Sequence, residues 1–79
     1  MTRYRIDAFC FDPRNDFSFF VDYGDDETAK HQWKEDMRVE VERRAGSSSV
    51  PQAARVSYAF IRKSDKSRGE KMGRLVARG

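Results

Sequence analysis

Few side chains in this sequence are equipped for chemistry: one histidine, His31, one cysteine, Cys10, and an acidic run at Asp22, Asp25, Asp26 and Glu27. A structural zinc site needs four nitrogen or sulfur ligands and a catalytic one usually three. His31 and Cys10 reach neither number without carboxylates. His31 neighbours Lys30 on the expected polar side of a helix, which marks it as an exposed bystander. Cys10 lies among apolar strand residues and reads as a small core side chain; the competing reading is an edge thiol that cross-links two copies. The acidic run lacks the alternating ligands, central glycine and distal glutamate of a calcium loop, and helix capping accounts for it. Ser47, Ser48 and Ser49 stand in a polar link, far from His31 and from any strand-to-helix elbow that would expose a nucleophile. No carboxylate pair sits in an apolar setting that would separate its pKa values. Gly69 and Gly73 lack the strand–loop–helix context of a phosphate-binding turn. We therefore expect no catalytic residue, no metal and no cofactor, and a protein that is not an enzyme.

Charge is the more informative signal. Residues 1–54 carry eight Lys/Arg against eleven Asp/Glu, a net of −3, whereas residues 55–79 carry eight against two, a net of +6. So basic a last third attracts acidic surfaces or phosphate backbones, although charge of this kind also serves solubility. Arg62, Lys63, Lys66, Arg68, Lys71 and Arg74 surround one polar loop, and a hairpin tip would display most of them together. They form the candidate contact site. A two-stranded ribbon can enter a major groove, and Tyr4, Tyr23, Tyr58 or Phe20 could stack bases if they stood on the open face of a sheet. In so small a domain most rings are expected in the core, with Phe9 and Phe20 the exposed ones. No aromatic-rich RNA-binding sequence, GXXG clamp or helix-turn-helix pattern is visible.

The elements that must position these groups follow from periodicity. In Thr2–Phe11, Tyr4, Ile6, Ala8 and Cys10 fall on one face, with Arg3, Arg5, Asp7, Phe9 and Phe11 on the other, which predicts a strand. Asp12-Pro13-Arg14-Asn15-Asp16 reads as a turn, and Phe17, Phe19, Val21 and Tyr23 alternate through a second strand. Together they form an antiparallel hairpin. Asp25-Asp26-Glu27-Thr28 opens a helix in which Ala29, Trp33, Met37, Val41 and Ala45 recur every four residues. Residues 38–42 alternate like a strand, so the helix either continues to Ala45, the favoured reading, or hands over near Met37. Residues 47–52 form a link. Arg55–Lys63 alternates again, with Val56, Tyr58 and Phe60 on one side and Ser57, Ala59 and Ile61 on the other, as a central strand would. Lys71–Ala77 is a last strand with Met72, Leu75 and Val76 as its apolar content.

These elements predict one α+β domain over residues 1–79, ordered ββαββ, with a four-stranded antiparallel or mixed sheet and one helix on one face. A chain of 79 residues removes only roughly 60% of its unfolded surface from water, so net stability of about 3–5 kcal/mol is expected. Aromatic residues make up 13% of the chain, above what disordered segments carry. No stretch is long and apolar enough for a membrane span, no apolar signal core opens the chain, and a lone cysteine forms no internal disulfide. The expected compartment is the cytoplasm.

In size, charge density, layout and lack of chemical motifs, the whole chain resembles the compact proteins that phages and mobile elements make against host systems, anti-CRISPR proteins among them. No motif is shared, so no residue role is carried across. The resemblance implies a non-enzymatic inhibitor acting in the host cytoplasm. It would dock on a host protein or ribonucleoprotein complex that handles nucleic acid, through the basic hairpin and exposed aromatics. The alternative is a small nucleic-acid-binding domain that contacts phosphates directly through that hairpin. A homodimer stays open, as does a subunit whose site a partner completes.

Overall fold

The computed structural model describes residues 1–45, 55–63 and 71–76. Strand β1 (Thr2–Cys10) passes through a short 3-10 turn (Pro13–Asn15) into β2 (Phe17–Tyr23). Helix α1 (Asp26–Ala45) leads to β3 (Val56–Arg62) and β4 (Lys71–Val76), in the expected ββαββ order. The sheet order is β2-β1-β3-β4, and all three neighbouring pairs are antiparallel. Both β1 and β3 are therefore central strands. For β3 this agrees with the apolar groups on both of its faces.

The first turn is held by its aspartates. Asp12 accepts from the Arg14 backbone N–H at 3.0 Å, and Asp16 accepts from that of Cys10 at 2.7 Å. Asp25 caps α1, its Oδ1 accepting from the Thr28 N–H at 2.7 Å, and the bond holds its carboxyl below the usual range. The helix runs to Ala45, the longer of the two readings. Ion pairs at helical spacing explain why the strand-like alternation at 38–42 does not prevail: Arg38 bridges Glu35 at 2.5 Å and Glu42 at 2.7 Å, and Glu40 takes both Arg43 and Arg44. Val39 is left exposed on the solvent side.

The core lies between the helix and one face of the sheet. Tyr4, Ile6 and Ala8 from β1, Tyr23 from β2 and Ala59 and Ile61 from β3 meet Ala29, Trp33 and Met37. Trp33 is its largest fully buried side chain. Gly73 of β4 gives its indole room: a Cβ there would lie 3.3 Å from Trp33 Nε1 and 3.3 Å from Ile61 Cγ2. Two tyrosine hydroxyls tie the helix down. Tyr4 donates to Asp26 Oδ1 at 2.7 Å and Tyr23 to Asp36 Oδ2 at 2.5 Å.

Register shifts interrupt simple alternation at two places. Phe9 faces Tyr58 but Cys10 faces Val56, so Ser57 is the extra residue. Alternation alone puts Val56 beside Tyr58 and Phe60; the shift turns it to the helix side, where it packs against the core. Ile61 faces Gly73 but Arg62 faces Lys71, so Met72 is extra in β4. That second shift leaves Gly73 against the helix and carries Lys71 to the opposite face.

A candidate interface on the open face of the sheet

Among the described residues no element covers the face of the sheet away from α1, and the composition of that face follows from the register. β1 contributes Arg3, Arg5, Asp7 and Phe9; β2 contributes Ser18, Phe20 and Asp22; β3 contributes Tyr58, Phe60 and Arg62; β4 contributes Lys71, Arg74 and Val76. Phe11, just past β1, is also exposed.

Rings from the two central strands gather at the middle. Phe9 stacks on Tyr58 with centroids 4.6 Å apart, and Phe60 meets both edge-on at 6.0 and 5.4 Å. Such ring pairs contribute about 0.5–1.5 kcal/mol each beyond their burial. The Lys71 ammonium sits over the Phe60 ring at 3.9 Å. With Met72, Gly73 and Arg74 these two line a wide, shallow depression of about 410 Å³.

Beside the rings lies an ionic triad. Asp7 is the buried charged residue among those described, and it accepts from Arg5 Nε at 2.8 Å and from Arg62 Nε at 2.9 Å. One carboxylate between two guanidiniums fixes both and leaves a local excess of positive charge. Arg3, near Asp22 at 3.5 Å and over Phe20 at 5.9 Å, extends the basic region towards β2. Arg3, Arg5, Arg62, Lys71 and Arg74 stand against Asp7 and Asp22 on this face, a formal excess of +3.

The six candidate contact residues divide. Arg62, Lys71 and Arg74 come together on the open face. Lys63, one step beyond Arg62, reaches the other way, and its Nζ lies 2.9 Å from Asp26 Oδ2 at the start of the helix. Lys66 and Arg68 lie outside the described residues. The candidate set omitted Arg3, Arg5 and Asp7, because tallying charge along the chain assigns them to the acidic part. Their shared strand face with Phe9 was the available signal.

Of the residues first considered for chemistry, Ser47, Ser48, Ser49 and Gly69 lie outside the described residues, and His31, Cys10 and Asp26 have structural surroundings. His31 is exposed, with Nε2 3.7 Å from Glu27 Oε1. The Cys10 thiol is buried and donates to the Asn15 carbonyl at 3.3 Å; burial pushes its pKa up, away from the reactive thiolate. Tyr4 and Lys63 both bond to Asp26 and hold its carboxyl below the usual range. Among the described residues no group of three or more His, Cys, Asp or Glu side chains is placed to hold a metal ion. The described helix is not apolar enough to cross a membrane. Comparison with protein-family models, curated proteins and solved structures finds no match.

Proposed function

We propose that this protein acts by binding rather than by catalysis, that the open face of its sheet is the contact surface, and that its ligand is single-stranded nucleic acid. One observation carries the reading. Phe9, Tyr58 and Phe60 gather on the two central strands, with Arg5, Arg62, Lys71 and Arg74 around them. Proteins that hold single strands combine ring surfaces for the bases with cations that follow the phosphates, and a four-stranded sheet with aromatic central strands is a recurring solution. A flat sheet face also suits unstacked bases better than a duplex groove. The contact surface thus differs from the hairpin tip expected from sequence, and draws on it only through Arg62, Lys71 and Arg74.

A second reading is docking on the acidic protein surface of a nucleic-acid-handling complex, as the resemblance to phage inhibitors implies. It is favoured by the exposed Phe11, Phe20, Tyr58 and Val76, because aromatic and apolar groups beside arginine dominate the energetics of protein interfaces.

Fluorescence anisotropy with labelled single-stranded DNA and RNA, read across a salt series, separates the two. Two to four phosphate contacts predict a log–log slope of about −1.4 to −2.8. Replacing Lys71 and Arg74 together by Ala should reduce the slope by about 1.4. Tyr58→Ala should weaken binding by about 5- to 150-fold while sparing the slope, since ring stacking is not salt-dependent in this way. Absence of binding at low salt would sink the nucleic-acid reading and leave protein docking.

A further inference from the structure

The two outer edges of the sheet are unequal. β4 carries features that discourage pairing with another strand: Lys71 and Arg74 within six residues, and a register shift against β3. β2 has neither. Its seven residues, Phe17-Ser18-Phe19-Phe20-Val21-Asp22-Tyr23, include no Lys, Arg, Pro or Gly and pair with β1 without a register shift. Its one charge, Asp22, is met by Arg3 from β1. Folding also leaves its apolar surface unfinished. Phe17, Phe19 and Val21 face the helix yet stay half-buried, and Phe20 on the open face is 54% exposed. Among the described residues no strand pairs with the outer side of β2.

The order of residues along β2 is complementary to itself about Phe20. Laid antiparallel against a second β2 with Phe20 opposite Phe20, Phe19 meets Val21, Ser18 meets Asp22 and Phe17 meets Tyr23. Every pair is either apolar or free of like charges, which is what stabilises cross-strand neighbours. We propose that β2 is a homodimerisation edge, where two copies join across a two-fold axis at Phe20 to form one continuous sheet. An axis perpendicular to the sheet reverses strand direction and keeps the faces, so both helices lie on one side and both open faces on the other. The contact is isologous and closes at two copies. It is independent of the ligand bound on the open face.

Light scattering coupled to size exclusion, from micromolar to millimolar protein, tests this. The mass should rise from the monomer's 9.2 kDa towards twice that value. Phe20→Lys and Phe20→Glu should each stay monomeric, because position 20 faces itself and like charges would meet. An equimolar mixture of the two should recover the dimer. Ser18→Asp, at a second exposed position, sets a carboxylate opposite Asp22 and should weaken it. Circular dichroism of each variant confirms that the fold is retained. A parent that stays at the monomer mass, a Phe20→Lys variant that dimerises like the parent, a mixture that stays monomeric, or growth beyond two copies would each overturn the proposal.

Discussion

Tyr4 spans the interface between sheet and helix, and its ionisation is tied to folding. Its hydroxyl donates to Asp26; that bond, then burial, then the charges of Asp26 and Asp25, push its pKa up from 10.0 to about 12. Tyr23 is shifted in the same direction, first by burial and then by its bond to Asp36. A phenol whose pKa is higher in the folded state stabilises fully below its unfolded pKa, and that contribution disappears as pH rises towards the folded value. The stabilisation contributed by Tyr4 should therefore stay constant up to about pH 10 and be lost between about pH 10 and 12. Asp26 works in the opposite sense: its lowered pKa stabilises above the ordinary carboxylate range and is lost as pH falls through it. Tyr4→Phe should cost about 1 kcal/mol at neutral pH through the lost hydrogen bond. It should also delete one high-pH step from an ultraviolet titration of the tyrosines. Loss of a step near the ordinary tyrosine pKa of about 10 instead would show that Tyr4 is not so constrained.

The elements were legible in the sequence wherever one period governed a whole segment. Tyr4, Ile6, Ala8 and Cys10 alternate without interruption, and the helical stripe of Ala29, Trp33 and Met37 is buried as its four-residue spacing requires. Two things were not legible. A single extra residue, Ser57 or Met72, reverses the faces of its neighbours, and nothing in composition announces it. Pairing of β1 with β3 brings Asp7 to Arg62 from 55 residues away, so a tally of charge along the chain could not find the triad. The pairing of β4 with β3 also sets its tolerance, since Gly73, opposite Ile61, lies against Trp33. Gly73→Val should cost about 1–3 kcal/mol, because close-packed cores resist added volume. Val76→Ala, three residues on but exposed, should stay within about 0.5 kcal/mol. Urea melts of the two variants decide it, and equal costs would contradict the packing described for β4.

At the scale of the whole molecule, the packing of α1 on the sheet, all that the described residues build, leaves little reserve. A core of this size supports about 3–5 kcal/mol of net stability, so a ligand on the open face should shift the folding equilibrium visibly. That face belongs to the folded state alone: Phe9 and Arg5 come from β1, Tyr58 and Arg62 from β3, Lys71 from β4. The unfolded chain does not bring them together, so binding adds to stability without a matching gain in the unfolded state. A single-stranded oligonucleotide at about 100 times its dissociation constant should add about 2.7 kcal/mol, which raises the Tm of so small a domain by about 10–20 °C. Salt that releases the phosphates should remove the shift without lowering the Tm of the free protein to the same extent, because the Asp7 triad is largely shielded from solvent whereas Lys71 and Arg74 are exposed. Differential scanning fluorimetry with and without oligonucleotide at two salt concentrations measures both effects. A Tm that ignores the oligonucleotide at low salt would count against the open face as a nucleic-acid site.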